Sequence, residues 1–568
     1  MDSSGRLVEA TSLLGTAGNR TVVILTHPTL RDPVRSWIAE FARDRVLVLA
    51  PDEAAEWDLG GCGVDFGPAA TFGQLTRQLK KVGAIDVVVT LLPTELLPGT
   101  DSDQFSLFSR VFRFLKPGGA YLLDRAVVPT SGSVLGQERW FEMLAESEEP
   151  KPPGQASSPK AELATAVGTV ITSRDLVVVT KRVKDYLILR EADIDPVLSA
   201  REPGIELRIL DRRAGGELDV RANLTIHGRS PVPPPWPDRI AYPELTLRHY
   251  RGDLASSGAT LLFTGSTILP DSFRWHLSEQ PYNPRVTASG KEFGRIPSRF
   301  VPRDRLAGDF YSLDNTYSGH FGHLLTEVVS RLWGWQRAKE EIGDLKALIH
   351  MKHRSGKDPK LEREIFTAFG IDPSDLVWVN KPVYLDSVVS ASPMWHMEDP
   401  HTVHPDLTDT WHRLTDGLLR GAHPSGTPER IFVSRSEGLH RVCRNGPEVE
   451  SLFADRGFEV IYPETMPLRR QVELFAGAKV VAGFGGSAMF NVMHTARLEH
   501  TIVLAHGAYT ARNEHLYAAL LGGELTYFYS EPDTPEPADT VSKKAFFGDW
   551  DFDFAQHRDA LVALLDDL

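Results

Sequence analysis

The sequence is poor in cysteine and has no long uncharged apolar run. Of its 568 residues only two are cysteines, Cys62 and Cys443, which excludes a disulfide framework and a cysteine-ligated zinc site. No uncharged apolar stretch reaches the ~18 residues that a membrane span needs. The first residues also lack the basic head and apolar stretch of a signal peptide. We therefore expect a cytoplasmic protein without a membrane span.

Positive charge is also in the minority. The chain has 62 Lys and Arg against 76 Asp and Glu, a formal net charge of −14. Because a nucleic-acid-binding protein needs a basic face for phosphates, we do not expect nucleic acid as a partner. The apolar content of 42% and the charged content of 24% are typical of globular protein, and the length exceeds that of one core. The oligomeric state is left open.

The first 200 residues alternate between strand-like and helix-like segments, which is typical of a doubly wound parallel sheet. The predicted strands are residues 21–27, 45–51, 85–93 and 119–126. Two further runs, DLVVVTKR and DYLILREAD, are predicted to pair and to complete this sheet. The polar, proline-containing stretch 148–162 is predicted to be a loop.

The rest of the chain contains two more α/β patterns. Residues 201–420 combine a β-rich region with a weaker alternation, and in residues 430–530 five predicted strands alternate with four helices, as in a Rossmann-like half. We predict an α/β protein with three parts, residues 1–200, 201–420 and 421–568. The last 20 residues are predicted to form a helix that crosses back onto the first half.

The first motif is DNTYSGHFGHLLTEVVSRLWGW, residues 314–335. A helix from Gly322 would align His323, Glu327 and Arg331 on one stripe, opposite an apolar face. A histidine beside a carboxylate at a helix N-terminus is a general-base arrangement, in which either group can be the base. The alternative is an ordinary helix with an exposed Glu–Arg pair.

The second motif is RIFVSRSEGLHRVCRN, residues 430–445. Arg435 follows a predicted parallel strand, and Arg441 and Arg444 lie in the next loop. Ligands of open α/β sheets bind at the carboxyl ends of strands, and arginine forks suit diphosphate oxygens. The alternative is a solvated basic loop.

The third motif is AKVVAGFGGSAMFN, residues 478–491. A predicted strand leads into Gly485, Gly486 and Ser487 and then into a helix, which brings backbone N–H groups to an anion. It lacks the Lys-Ser/Thr pair of a Walker A motif. The alternative is a glycine turn that only permits tight packing. The histidines of residues 395–404 have no recognised ligand spacing, and we expect no metal.

VFRFLKPGGAYLLD, residues 111–124, resembles the later part of a Rossmann methyltransferase. The first predicted strand, however, ends in THPTLRDP instead of the glycine-rich turn that admits S-adenosylmethionine. Asp52 remains a candidate ribose contact. We expect a degenerate methyltransferase-like domain, and an S-adenosylmethionine-dependent methyltransferase or bifunctional enzyme is the alternative.

In this order and spacing, the three motifs resemble glycosyltransferase family 61 over residues 236–530. The matching pieces are the helix with Asn315, His323, Glu327 and Arg331, the strand end at Arg435 with its loop, and the run GFEVIYPETMPLRRQVELFAGAKVVAGFGGSAMFN. Two positions depart from the family pattern. Family members often have His at the Gly485 position and commonly have Asp at the Glu327 position.

The resemblance implies a GT-B architecture and an inverting hexosyl- or pentosyltransferase with no required cofactor or metal. A nucleotide sugar would be the co-substrate, and a glycan or surface-polysaccharide precursor the acceptor. His323 and Glu327 would be catalytic. The implied donor-binding residues are Arg435, Arg441, Gly485, Gly486, Ser487 and Glu464, and those on the acceptor side are Asn315, His320 and Arg331. A non-catalytic glycan- or nucleotide-binding protein is a further alternative.

Overall fold

The computed structural model describes residues 19–51, 64–93, 96, 104–128, 159–220, 222–231, 236–274, 276–279, 281–288, 291–351, 359–420, 426–436, 440–535 and 542–568. Their contacts divide the chain into two compact units. Unit 1 comprises residues 1–208, 250–307 and 381–387, and unit 2 comprises residues 209–249, 308–380 and 388–568. The Asp52 candidate and most of the predicted loop 148–162 lie outside the described residues.

Unit 1 contains a seven-stranded sheet. In spatial order its strands are Asp65–Pro68, Arg45–Ala50, Thr21–Leu25, Ile85–Thr90, Leu115–Asp124, Leu176–Lys181 and Val167–Thr172. The first five are parallel and follow the Rossmann order 3-2-1-4-5, whereas Leu176–Lys181 runs antiparallel to both neighbours. The α/β prediction is therefore confirmed.

Helices connect the parallel strands of this sheet. They are Arg31–Glu40, Phe72–Lys81 and Gln104–Val111, and unit 1 also contains Pro159–Ala166 and Ile194–Arg201. The helix Phe72–Lys81 begins where it does because Thr71 and Gln74 form a reciprocal capping box. Trp37 packs in the core and donates its indole N–H to Asp124 over 2.9 Å.

One predicted strand pairing in unit 1 is wrong. Leu176–Lys181 pairs with Val167–Thr172, and not with Tyr186–Ile188. Tyr186–Ile188 instead pairs with Thr267–Ile268 and Phe293–Arg295, in a set that includes Leu262–Thr264 and Thr287–Ala288. Pairing between residues about 80 to 100 positions apart leaves no local sequence signal, whereas two neighbouring apolar runs resemble a local strand pair.

Unit 2 contains a group of three parallel strands, which is part of a mixed sheet, and a separate six-stranded parallel sheet. In the first, residues 309–312 pair with Leu345–His350, which pairs with Leu376–Val379. The second has six strands in the order Asn223–Gly228, Glu524–Ser530, His500–His506, Val480–Phe484, Arg430–Val433 and Glu459–Ile461. Its five later strands match the predicted ones. Two groups of parallel strands with connecting helices fit the GT-B architecture that the resemblance implies.

Short pairs and helices complete the unit. The two-stranded pairs are Gly216–Asp219 with Arg239–Tyr242 and Trp395–His396 with Thr402–Val403. The helices are Trp335–Ile342, Lys360–Phe369, Leu407–Leu418, Gly446–Ala454, Leu468–Gly477, Asn513–Leu521, Lys543–Phe546 and Phe554–Asp567. The chain passes between the units within the strands Glu206–Arg213, Leu245–Ser256, Asp304–Ser312 and Val383–Ala391, and once more between residues 380 and 381. A single apolar core includes residues of both groups of parallel strands of unit 2.

The terminal helix does not cross back onto the first half. Leu561 and Leu565 of Phe554–Asp567 are buried against Phe432 and Phe528 of the six-stranded sheet. His557 bonds the backbone carbonyl of Tyr529 over 3.0 Å. The helix therefore belongs to the second half, because that sheet face offers the apolar surface that its leucines need.

None of the helices in the described ranges has both the length and the apolar composition required to cross a bilayer.

Candidate active site

The glycine turn lies at the carboxyl end of a central strand in the six-stranded sheet. The strand Val480–Phe484 leads through Gly485 and Gly486 into the 3-10 helix Ser487–His494. Gly486 has a φ of +151°, and a Cβ there would lie 1.7 Å from Nη2 of Arg435 and 2.9 Å from Nη2 of Arg441. Only a glycine allows both guanidinium groups to approach the turn this closely.

Arg435 follows the neighbouring strand Arg430–Val433. Its Nη2 donates to the carbonyl of Gly485 over 3.0 Å, and its Nη1 donates to the carbonyl of His440 over 3.2 Å. Arg441 has a φ of +61° and lies over the rings of Tyr509 and Phe546, at 5.1 and 4.8 Å. The structure thus brings the two predicted arginines together at the predicted turn.

Both guanidinium groups keep positive charge without an ion-pair partner. Within the described part of the chain neither forms a salt bridge, and the buried Nε of each has no hydrogen-bond partner. Burial and the nearby Arg441 lower the pKa of Arg435 to about 10, and burial lowers the pKa of Arg441. Both side chains remain protonated at neutral pH. Two crowded, partly desolvated cations favour a bound anion.

Arg444, from the same loop, is arranged differently. It is largely exposed and bonds Asp533 over 2.6 Å and Asp551. Its hydrogen bonds to these carboxylates raise its pKa. The charge of Arg444 is therefore already balanced, and it serves as an internal comparison for Arg441.

The backbone amide of Gly485 is not available to a ligand. Its N–H donates to the carbonyl of Leu504 over 2.9 Å, as part of the sheet. This N–H therefore cannot hold an anion, and a contact of Gly485 with the donor stays a prediction. A Cβ at Gly485 would lie 2.9 Å from the Tyr509 ring, so that ring occupies the space that a larger side chain at this position would need. The absence of a side chain at Gly485 leaves room for the Tyr509 ring, and Ser487 is the first residue of the 3-10 helix.

A buried carboxylate supports the turn from behind. Glu514 is 2% exposed and accepts hydrogen bonds from the hydroxyls of Tyr509, over 2.8 Å, and Tyr527, over 3.4 Å. Burial raises the pKa of Glu514, while hydrogen bonds from Tyr509 and the Gly486 backbone oppose the shift. Tyr509 contacts Arg441, and Glu514 accepts a hydrogen bond from the Gly486 backbone. Sequence reasoning missed both residues.

The predicted catalytic pair is in contact. Nδ1 of His323 lies 2.8 Å from Oε1 of Glu327, and 22% and 16% of the two side chains remain exposed. Because a carboxylate can only accept, Nδ1–H is the donor, and in the neutral form of this ring the lone pair therefore lies on Nε2. A partly exposed imidazole held in this tautomer is arranged to accept a proton.

The segment that carries the pair is not a regular α-helix. Phe321–His323 is α-helical, Leu324–Val328 forms a π turn and Val329–Gly334 is a 3-10 helix. Thr326 donates its hydroxyl to the carbonyl of Gly322 over 2.9 Å, a side-chain bond that competes with helical geometry. Arg331 is 5% exposed, so the predicted stripe of His323, Glu327 and Arg331 does not continue at the surface as far as Arg331.

Aromatic rings surround the histidine. Tyr317 stacks on His323 with centroids 4.4 Å apart, and His320 lies 4.7 Å from the same ring. Asn315 is buried and accepts the N–H of Tyr317 over 2.9 Å, so it shapes the loop that presents these rings. Sequence reasoning named His320 and Asn315 but missed Tyr317.

The pair and the turn are neighbours within unit 2. A Cβ at Gly322 would lie 2.8 Å from the Cβ of Ser487 and 3.1 Å from the ring of Phe490. The exposed Glu464 accepts the N–H of Ser436, one residue beyond Arg435. These contacts bring His323 and Glu327, the two cations and the glycine turn into one region.

Across the described residues, no three His, Cys, Asp or Glu side chains are grouped as a metal site requires. In the His-rich segment, Nδ1 of His396 lies 2.9 Å from the carbonyl of Glu398 and 3.1 Å from that of Pro400.

Comparison with solved structures finds methyltransferases at low similarity. The MycE methyltransferase of mycinamycin biosynthesis, with Mg and S-adenosylhomocysteine, has a TM-score of 0.23 and 15% identity, covering 32% of this chain and 48% of that chain. The chain thus spans about half the length of MycE. The antibiotic-resistance methyltransferase Kmr has a TM-score of 0.19 and 13% identity, covering 31% of this chain and 93% of its own. An O-methyltransferase family protein from Burkholderia thailandensis has a TM-score of 0.19 and 18% identity, covering 32% and 56%.

No curated protein matches the chain. Residues 321–503 match the family model "Glycosyltransferase 61". The match begins at the segment with His323 and Glu327 and ends beyond the glycine turn, so it contains the second and third motifs and the part of the first motif from residue 321 onward. The predicted resemblance to this family is confirmed over residues 321–503, the part of the chain that matches the family model.

Proposed function

We propose that the protein is an inverting glycosyltransferase that moves a hexosyl or pentosyl group from a nucleotide sugar to a hydroxyl of a glycan or surface-polysaccharide precursor in the cytoplasm. The observation that carries the proposal is the pair of guanidinium groups at Gly486, which have no ion-pair partner among the described residues. Two fixed cations supply the charge that a leaving nucleoside diphosphate requires.

In the proposed reaction, Arg435 and Arg441 bind the donor's diphosphate oxygens, beside Ser487. The acceptor hydroxyl attacks the anomeric carbon from the face opposite the diphosphate. As the new C–O bond forms, the bond to the diphosphate breaks and its electron pair moves onto the leaving oxygen. The arginines stabilise that growing negative charge, so no metal is required at this step.

The proton of the acceptor hydroxyl passes to Nε2 of His323. Glu327 keeps the imidazole in the correct tautomer and stabilises the imidazolium that forms, as the carboxylate does in a catalytic triad. We therefore assign the base to His323 and the orienting role to Glu327. His320 and Tyr317 form the wall beside the imidazole that the acceptor approaches, on a loop that Asn315 shapes.

A panel of nucleotide sugars tests the proposal. The full-length protein is incubated with each donor and a set of glycan acceptors, and release of nucleoside diphosphate is measured for wild type and for His323→Ala. Turnover of at least one donor by wild type, and its loss in the variant, is the expected result. Donor binding without turnover would identify a non-catalytic binding protein, and equal turnover by both proteins would exclude His323 as the base.

A further inference from the structure

Phe547 is one of two large apolar side chains that are exposed in the described part of the chain. Both Phe547 and Tyr282 are 42% exposed. Tyr282 belongs to unit 1, whereas Phe547 follows the short helix Lys543–Phe546 in unit 2. An exposed phenylalanine loses the free energy that burial would supply, so its surroundings indicate what it is used for.

Phe547 lies beside the cationic site. Its ring centroid is 5.7 Å from Cζ of Arg441 and 5.2 Å from the ring of His440. Phe546 meets it edge-on at 5.0 Å and stacks on Tyr509 at 5.6 Å. Phe546 therefore covers one face of the Arg441 guanidinium, and the neighbouring Phe547 ring is partly exposed to solvent.

The position of Phe547 is fixed by the loop that carries Arg441. The backbone N–H of Trp550 donates to the backbone carbonyl of Val442 over 3.0 Å. The backbone carbonyl of Trp550 accepts the backbone N–H of Arg444 over 2.9 Å. Asn445 donates to the carbonyl of Phe552 over 2.9 Å. These bonds join the segment after Phe547 to the residues that directly follow Arg441, so the exposed ring and the cation are held close together.

We propose that Phe547, with His440 at its edge, is the stacking surface for the nucleobase of the sugar donor. The guanidinium of Arg441 contacts the glycine turn on one side and the Phe547 ring on another. A nucleoside diphosphate whose phosphates bind Arg441 carries its base beyond the ribose, where an exposed π face is available. Every base has a π face that stacks on an aromatic ring, which matches the exposed ring of Phe547.

This inference rests on the proposed function, and its test separates the two. Calorimetry measures binding of uridine, guanosine, cytidine and adenosine diphosphates, and of inorganic pyrophosphate, to the full-length protein. Pyrophosphate reports the phosphate contacts alone. The proteins are wild type, Phe547→Ala, Phe547→Tyr and, as the matched control for an exposed aromatic, Tyr282→Ala.

The expected result is that Phe547→Ala weakens the tightest nucleoside diphosphate by about tenfold or more, the usual loss when a base loses its aromatic partner. Pyrophosphate binding should stay within about twofold, because Phe547 does not touch the phosphates. Phe547→Tyr keeps a π face and should bind like wild type, as should Tyr282→Ala.

Three outcomes overturn the inference. Equal binding of the nucleoside diphosphate by wild type and Phe547→Ala removes the stacking role. Equal losses for the nucleoside diphosphate and for pyrophosphate show that the ring acts by shaping Arg441. Absence of any nucleoside diphosphate binding to wild type contradicts the proposed function itself, whereas the first two outcomes leave it intact.

Discussion

Gly322 packs directly on Ser487, so closely that a Cβ on Gly322 would lie 2.8 Å from the Cβ of Ser487. The contact joins the segment with His323 and Glu327 to the turn that receives Arg435 and Arg441. The distance between the proposed base and the proposed diphosphate site therefore depends on residue 322 being a glycine, which has no side chain. A small displacement of a catalytic group relative to its substrate has a large effect on the rate of the chemical step.

Gly322→Ala should reduce kcat about tenfold or more while leaving nucleoside diphosphate affinity nearly unchanged, because it moves the base and not the arginines. Steady-state kinetics and calorimetry on the same protein measure both quantities. Gly319→Ala is the control, since a Cβ at Gly319 meets no atom within 4 Å although its φ is +82°. Equal kinetic losses in the two variants would show that the Gly322 contact has no special role.

His323→Ala and Glu327→Gln should each lower kcat by roughly 10²–10⁴-fold, the range for loss of a general base or of the group that orients it. Because Glu327 acts through His323, the double variant should be no slower than His323→Ala alone. A double-mutant cycle in kcat measures the coupling. Multiplicative losses would mean that the two side chains act independently, and an unaffected Glu327→Gln would remove the carboxylate from the mechanism.

Gly486→Ala should abolish most donor binding. The new Cβ would lie 1.7 Å from Nη2 of Arg435, which is too close, so the guanidinium would have to move away from the turn. Loss of one charge-assisted hydrogen bond alone predicts an affinity fall of about tenfold or more. Gly457→Ala, at a φ of +82° with no atom within 4 Å of its Cβ, should cost some stability and no affinity. Unchanged binding by Gly486→Ala would place the diphosphate elsewhere.

The stability of unit 2 should fall on mild acidification through His494. This buried imidazole donates Nδ1–H to Thr415 over 2.6 Å, and burial lowers its pKa to about 3. In the unfolded chain it titrates near its ordinary value of 6.5. The unfolded state therefore binds a proton below pH 6.5 that the folded state does not, so the contribution of His494 is complete above pH 6.5 and is lost as pH falls toward 3.

Each pH unit in that window costs about 1.4 kcal/mol from this residue. The free energy of unfolding, measured between pH 7.5 and 5, should fall less steeply in His494→Gln than in wild type, even if the variant is less stable throughout. Parallel pH profiles would show that His494 does not remain neutral in the fold.

The site residues that sequence predicts are those with a local signal. A strand followed by Gly485 and Gly486 places the turn at a sheet edge, and Arg435 directly after another strand has to lie at the same edge. His323 and Glu327 are four residues apart, and the contact forms although the segment continues as a π turn. In each case a few neighbouring residues determine the position.

What the sequence did not predict depends on distant parts of the chain. Asn223–Gly228 joins the six-stranded sheet beside Glu524–Ser530, with Asn223 bonded to Glu524 301 positions later. Phe547 lies beside Arg441 only because residues 549–552 pair with the loop. Arg331 is buried in a segment that changes from a π turn to a 3-10 helix, a change of period that a regular helical pattern in the sequence does not predict.

The most direct test compares Arg441→Met with Arg444→Met in calorimetric binding of a nucleoside diphosphate. Both arginines lie on one loop, but Arg444 is paired with Asp533 and Asp551, whereas Arg441 has no ion-pair partner among the described residues. Two cations with spare charge at a glycine turn predict that Arg441→Met weakens binding about tenfold or more. Arg444→Met should bind like wild type. Wild-type affinity in Arg441→Met, or equal losses in both variants, would contradict the assignment of the donor's phosphates to this turn.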